Sequence, residues 1–276
     1  MPELPEVETT RRSVEPDLLD AVVVSASVRR PRMLRRQPHA RDFADRLVGR
    51  RIGHVGRHGK FLKTELEGDI TWVTHLGMSG RVSLARAGDP EVAHTNVIVG
   101  MDSGVEFRLI DPRTFGFVAA YTPEDLEFSS LAALGPDALD ELPSSGRLHA
   151  ALENRSAPIK PTLLDQRILA GLGNIYADEA LSRAGIAPQR PAQSLERPEV
   201  VRLRRAIKGT LAAGLRYGGT SLDDLAYLLP DGRAGEYVKR LRVYGREGEP
   251  CRTCGTPIRR EVLRQRSTHW CPRCQS

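Results

Sequence analysis

Four cysteines, set as two Cys-x2-Cys pairs sixteen residues apart, constrain this chain more than any other feature. They are Cys251 and Cys254 in "CRTC" and Cys271 and Cys274 in "CPRC", and the 276 residues hold no others. Two such pairs can wrap one tetrahedral cation, each forming a knuckle that supplies two thiolates. The alternative, two disulfides, requires an oxidising compartment. No charged-then-apolar export pattern precedes the first acidic residues, and the expected compartment is the cytoplasm. The spacing therefore predicts a zinc ribbon holding one structural Zn2+ ion.

The charge distribution adds a partner. Residues 233–276 carry 11 Lys/Arg against 4 Asp/Glu, whereas the preceding residues carry 30 against 31. All of the chain's excess of +6 thus lies in the segment that holds the cysteines. A solvated charged tail would lack cysteines, aromatics and turn residues, and this segment has all three. A folded basic patch is the footprint of a polyanion, foremost nucleic acid. No apolar run approaches the ~18 residues of a membrane span.

Upstream, the pattern changes once. Residues 1–135 read as a first helix, Pro5 to Val14, followed by short strand-like runs at 21–28, 61–66, 70–74, 95–99 and 105–110. Glycine and aspartate punctuate them, as in an antiparallel β-sandwich. "LGPDALDELPSSG" at 134–146 marks a boundary, after which the pattern is helical. "TLLDQRILAG" at 162–171 reads as one helix and "NIYADEALSRAG" at 174–185 as the next, with Asn174 as its N-cap. Leu203, Ile207, Leu211 and Leu215 give a third helix a buried face, with Arg202, Arg204, Arg205 and Lys208 on the solvated side. Gly218–Tyr237 has no period and reads as a long loop, of a length that is usually functional or disordered. The fold class is α+β with two main domains and the ribbon. The expected divisions are 1–135, 136–237 and 238–276.

The first eight residues, "MPELPEVE", admit two readings. Pro5 and the glutamates suit a helix start. If Met1 is removed, however, Pro2 becomes a secondary amine with a pKa of roughly 8, far below that of lysine. Such an amine attacks a carbonyl-like carbon, and the resulting iminium is an electron sink. Glu3 and Glu6 would then be nearby proton carriers. "LGNIY" is similarly open: Asn174 stands where a helix N-terminus could cap itself or bind a phosphate.

Several segments resemble, in order, the formamidopyrimidine-DNA glycosylase family, which also includes endonuclease VIII. They are "PELPEVE" (2–8), "GRHGKFL" (56–62), "HLGMSG" (75–80), "DPRTFG" (111–116), "IKPTLLDQRILAGLGNIYADEAL" (159–181), "GGTS" (218–221), "VYGREGEPCRTCG" (243–255) and "QRSTHWCPRCQ" (265–275). The resemblance implies a catalytic β-sandwich, a helix-two-turn-helix domain with a lesion-capping loop, and a zinc-ribbon β-hairpin. It also implies roles. Pro2 is the nucleophile at C1′, Glu3 the acid/base, Glu6 a supporting carboxylate, and Lys60 an essential lysine near the lesion phosphate and sugar. Met78, Arg113 and Phe115 form the wedge that replaces an extruded nucleotide, and Arg113 addresses the orphaned cytosine. His94, Lys160, Asn174, Tyr244 and Arg266 are implied DNA contacts.

The implied activity is removal of oxidised purines from double-stranded DNA by a monomer, then β,δ-elimination at the abasic site. The rivals are an endonuclease VIII-like enzyme for oxidised pyrimidines, disfavoured by "PELPEVE" and the wedge residues, and a non-catalytic zinc-ribbon DNA-binding protein. The latter leaves Pro2, Glu3 and Lys60 together unexplained. Two departures from the family pattern stand out: "DGRAGEY" lacks an aromatic common near Glu236, and "STHWC" carries His269 and Trp270 where Phe or Tyr is usual.

Overall fold

The computed structural model describes residues 2–222 and 227–276. They form two compact units, Met1–Ala133 with Tyr217–Val238, and Leu134–Arg216 with Lys239–Ser276.

The first unit opens with helix α1 (Leu4–Leu18), whose Val7, Val14 and Leu18 recur on one face and enter the core. The helix runs past the expected end at Val14. Pro16 lies in its last turn, where it forgoes the bond that an N–H would give the Arg12 carbonyl, and buried Leu18 continues the stripe. Strands β1 (Val23–Val28), β6 (Thr95–Met101), β7 (Val105–Ile110) and β5 (Arg81–Arg86) form one antiparallel sheet in that spatial order. Strands β2 (Ile52–His58), β3 (Phe61–Leu66), β4 (Ile70–His75) and β8 (Phe117–Tyr121) form the other. Helices α2 (Ala40–Leu47) and α3 (Pro123–Glu127) complete the unit.

The two sheets share one core. Trp72 of β4 meets Phe107 of β7 edge-on, with ring centroids 4.8 Å apart. Strand β3 alternates as a half-buried strand should, with Leu62, Thr64 and Leu66 inward. Strand β4 is buried almost throughout, because Val73 on its other face packs with Ala119, Tyr121, Phe61 and Phe117 in a second cluster.

The second unit contains α4 (Ser145–Leu152), α5 (Ile159–Leu163), α6 (Asn174–Ala184), α7 (Arg197–Arg216) and the hairpin β9 (Arg259–Leu263)–β10 (Arg266–Trp270). The helix expected over 162–171 is absent. Helix α5 stops at Leu163, and the chain makes successive turns to Gly173. The cause is Gln166: its side-chain amide donates to the carbonyls of Leu164 and Leu172 and accepts the Gly171 N–H, all at 2.9 Å. These bonds give the backbone an alternative to the helical ladder. On α7, Leu203, Ile207 and Leu211 are buried as expected, whereas Leu215 is only partly so. Gly214 occupies the core face instead, since a Cβ there would lie 2.5 Å from the fully buried Tyr176 ring.

The sequence pattern places the 218–237 loop with the helical domain. Its described residues group instead with the sandwich unit, and residues 223–226 lie outside the described residues. Among the described residues, no helix is long and apolar enough to cross a membrane.

Candidate functional site

The start of α1 is fixed by its own carboxylates. Glu3 is the N-cap, Leu4 the first helical residue and Pro5 the second, so the missing proline N–H costs no helical bond. Glu6, 1% exposed, uses both oxygens: Oε2 accepts the Glu3 N–H at 2.8 Å and Oε1 accepts the Thr220 N–H at 2.7 Å. Its carbonyl also accepts hydroxyl bonds from Thr10 and Tyr227. "GGTS" has a steric meaning here. Gly219 has φ +82°, and a Cβ on it would lie 2.8 Å from Glu6 Oε1. Pro2 and Glu3 are both buried.

Lys60 sits in the turn between β2 and β3, which Gly59 enters at φ +56°, and is 8% exposed. A chain of charged groups joins this turn to α1. Glu8 Oε2 accepts from Arg57 Nε at 3.1 Å, and Arg57 Nη1 donates to the Gly59 carbonyl at 3.0 Å. Arg11 and Arg12 bind the same carboxylate. Burial alone would raise the Glu8 pKa, but hydrogen bonds from Arg11 and Arg12 and the nearby charges of Arg11 and Arg57 hold it below its ordinary value. Sequence reasoning gives Glu8 only a place at the helix start and does not single out Arg57.

His75, at the end of β4, is a further residue that sequence reasoning missed. Its ring stacks on Phe117 and lies against Phe61. Burial, then the positive charges of Lys60 and Arg35, lower its pKa to about 4. Nδ1 accepts the Gly77 N–H at 3.1 Å, so the neutral ring carries its proton on Nε2.

The three wedge candidates fall on two adjoining loops. Met78 and Phe115 are 39% and 48% exposed, unlike the core residues that their types favour. The Arg113 guanidinium lies 4.8 Å from the centre of the Phe115 ring. Gly77, at φ +63°, makes the approach possible: a Cβ would lie 2.4 Å from the Gly116 nitrogen. Asp111, fully buried, ties the loops together by accepting Ser79 Oγ at 2.6 Å, Gly116 N at 2.7 Å and Arg113 N at 3.2 Å. The "D" of "DPRTFG" is therefore the brace of this pair of loops. His94 is exposed on the same unit, at φ +66°.

In the second unit, Asn174 is the first residue of α6 and Gly173 is the cap, a correction to the capping expected of Asn174. Its Nδ2 donates to the Ser267 carbonyl at 3.1 Å. Arg266 is exposed at the base of the hairpin tip, where Arg264 and Gln265 turn through φ 45° and 65°. Lys160, an implied DNA contact, lies inside this unit. It is fully buried, with Nζ 2.7 Å from Asp178 Oδ1, 2.7 Å from the Ser267 carbonyl and 2.9 Å from Thr268 Oγ1. The ammonium anchors β10 to α6, which places its charge beneath Asn174 and Ser267, away from the surface. Tyr244 has its N–H held by Glu179 at 3.1 Å and its ring 5.0 Å from His269. His269 in turn lies over Asp178, so the unusual "STHWC" is accommodated by packing.

The four cysteine sulphurs all lie within 4.8 Å of one another. Two cross-knuckle pairs, Cys251–Cys274 and Cys254–Cys271, are 3.9 and 3.5 Å apart. Sulphurs at ~2.3 Å from a central zinc in tetrahedral array stand about 3.8 Å apart, and a disulfide needs ~2.05 Å. Hydrogen bonds from Thr256 pull Cys254 down to about 6, whereas the facing sulphur of Cys254, then burial, push Cys274 up to about 12. A divalent cation resolves that competition by taking all four as thiolates. These residues fit one structural zinc.

Comparison with known proteins covers the same regions. The family model described as the formamidopyrimidine-DNA glycosylase N-terminal domain matches residues 1–118. The model of that glycosylase's H2TH domain matches 134–225, and that of the zinc finger found in FPG and IleRS matches 248–276. The formamidopyrimidine-DNA glycosylase of Heliobacterium modesticaldum is 45% identical, with 100% of each chain covered. The crystal structure of MutM (Fpg) from Thermus thermophilus superposes with a TM-score of 0.89 at 41% identity, over 99% of this chain and 98% of that one. A mutant of Lactococcus lactis Fpg, solved with DNA containing Fapy-dG, and Lactococcus lactis Fpg, solved with DNA containing an abasic site, each superpose with a TM-score of 0.90 at 31% identity over 100% of both chains.

A sandwich with a pinned N-terminal segment, in one chain with a helix-two-turn-helix unit and a zinc finger, is the architecture of a base-excision DNA glycosylase. The chain belongs to the formamidopyrimidine-DNA glycosylase family.

Proposed function

We propose that this protein removes oxidised purines, 8-oxoguanine and formamidopyrimidines, from double-stranded DNA and then cleaves the abasic strand. The carrying observation is Glu6, whose two oxygens bind the backbones of Glu3 and Thr220 and so hold Pro2 and Glu3 at a fixed helix start. The Fapy-dG complex of the Lactococcus lactis relative supports the substrate class.

In this reading, the Pro2 amine bonds to C1′ and the C1′–N bond to the base breaks. Glu3 protonates the sugar-ring oxygen as the ring opens, leaving a Pro2 iminium. Loss of a C2′ proton supplies the electrons that expel the 3′ phosphate, and a second elimination expels the 5′ phosphate. The product is a one-nucleotide gap with phosphates at both ends. Lys60 and the Nε2–H of His75 offer donors to the lesion phosphate. Arg266 and Asn174 grip the flanking backbone, and Met78, Phe115 and Arg113 fill the vacated stack. Zinc has a structural role in the finger. The protein works as a monomer in the bacterial cytoplasm, where its DNA is.

Borohydride trapping tests this reading. A duplex with 8-oxoguanine opposite cytosine should give a covalent protein–DNA adduct that maps to Pro2 in a chain lacking Met1. Absence of the adduct, or full activity with Met1 retained, overturns it. Faster excision from a thymine-glycol duplex would shift the assignment to the endonuclease VIII branch.

A further inference from the structure

We infer that Asp178, acting through Lys160, is a positioning residue for the backbone grip: it sets the strand that carries Arg266 against the helix that begins at Asn174. The inference rests on the reading above, in which Asn174 and Arg266 hold the flanking backbone. It gives a role to a carboxylate that is 1% exposed and so acts only through its neighbours. All of these residues lie in the second unit.

Among the described residues, β10 pairs with β9 alone, so its other edge carries backbone groups that β9 cannot satisfy. Two side chains of opposite charge take that edge. Lys160 Nζ donates to the Ser267 carbonyl at 2.7 Å, and Asp178 Oδ2 accepts the His269 N–H at 2.9 Å. Groups two residues apart are those that the free edge of an antiparallel strand presents. Each charge suits the group that it meets, and the two side chains pair with each other at 2.7 Å, both fully buried. A slip of one residue would turn these groups away, so the pair fixes the register of β10 on α6.

Both grip residues depend on that register. The Ser267 carbonyl accepts Asn174 Nδ2 at 3.1 Å as well as Lys160. One amide hydrogen of Asn174 is thus held, which aims the other. Thr268 Oγ1 accepts from Lys160 at 2.9 Å and donates to the Arg266 carbonyl at 3.2 Å. Without the Asp178 charge, the Lys160 ammonium would be buried facing only neutral oxygens, and its hold on Ser267 and Thr268 would weaken.

A double-mutant cycle tests the inference, with binding to a duplex that carries an uncleavable abasic analogue as its measure. Asp178→Asn still offers an oxygen to the His269 N–H but gives up the charge that faces Lys160. Arg266→Ala should then cost about fivefold less affinity in the Asp178→Asn background than in the unsubstituted protein, because residues that act through one another are not additive. Asp178→Asn alone should lower the slope of log K against log salt by about 1, the loss of one phosphate contact. Single-turnover excision of 8-oxoguanine should show the deficit more in the half-saturating protein concentration than in the maximal rate. Asp178→Asn combined with Lys160→Met separates positioning from folding. Both buried charges are gone, so urea stability and zinc content should match those of the unsubstituted protein. Ser267 still lacks its donor, so the affinity should stay low. The same cycle in this background decides the matter if Asp178→Asn alone does not fold. The inference is overturned if the cycle is additive, or if affinity recovers together with stability. If Arg266→Ala by itself leaves lesion-DNA affinity unchanged, the backbone grip of the functional reading fails, and the inference with it.

Discussion

Glu6 and Thr220 stand 214 positions apart in sequence and share a hydrogen bond of 2.7 Å, from the Thr220 amide to the Glu6 carboxylate. The other oxygen of the same carboxylate holds the Glu3 amide. One buried side chain thereby fixes both the helix start that presents Pro2 and the base of the 218–237 loop. Glu6→Gln keeps the shape but replaces one acceptor with a donor, which removes one of the two bonds that the carboxylate accepts. The cost should be about 1–3 kcal/mol. The expected outcome is lower stability in urea, faster amide exchange at Thr220 and reduced borohydride trapping. Unchanged Thr220 exchange would show that the carboxylate does not hold the loop.

A second tether predicts a kinetic effect at a distance. Glu8 binds Arg57, whose side chain is 1% exposed, and Arg57 binds the Gly59 carbonyl next to Lys60. Arg57→Lys retains the charge and loses the fork that spans Glu8 and Gly59. Misplacement of a positioned group by about 1 Å can cost up to ~100-fold in rate. Arg57→Lys should lower single-turnover excision at least tenfold while changing lesion-DNA affinity less than threefold. An equal loss in both would mean that the tether serves only general binding. Glu8→Gln should resemble it and also destabilise the fold by about 3 kcal/mol, because the buried Arg57 guanidinium loses the negative charge that faces it.

These tethers mark what sequence could and could not convey. The zinc ribbon was legible because four cysteines at fixed spacing have few geometric solutions. Strands at 61–66 and 105–110 were legible to the residue, because alternation and flanking turn residues coincide there. The helix read over 162–171 was not there, because Gln166 diverts the backbone through bonds that no periodicity reveals. Lys160 was implied only as a DNA contact, and nothing local shows that Asp178, eighteen positions on, is buried beside it. His75, Asp111 and Arg57 gain their meaning only from partners on other elements. Their types carry no signal until the sheets bring those partners close.

Zinc removal has a separable prediction. The finger's own apolar cluster is small, consisting of Val243, Ile258 and Cys271 with the other three cysteines around it. Such a core folds on its ion. Cys251→Ser, or chelation of the native protein, should release about one zinc per chain, counted by metal analysis, and raise the Kd for lesion DNA by at least tenfold. The circular-dichroism signal of the sandwich should persist. Normal DNA affinity in a zinc-free chain would contradict the finger's role in binding.

His75 predicts a pH dependence with a definite sign. Its folded pKa, about 4, lies below the ordinary value of 6.5. Between those values the unfolded chain binds a proton that the folded chain excludes, so stability rises with pH across that window. The contribution is fully present above pH 6.5 and is lost progressively as the pH falls toward 4. At pH 5 the loss should be about 2 kcal/mol relative to pH 7.5. Protonation would also place a hydrogen on Nδ1 and break its bond to the Gly77 amide, which loosens the turn carrying Met78. His75→Gln can still accept that amide and cannot titrate. Urea denaturation at both pH values should show the acid-induced loss shrinking by about 2 kcal/mol in His75→Gln. If both proteins lose the same stability between pH 7.5 and 5, His75 is not held neutral by the fold.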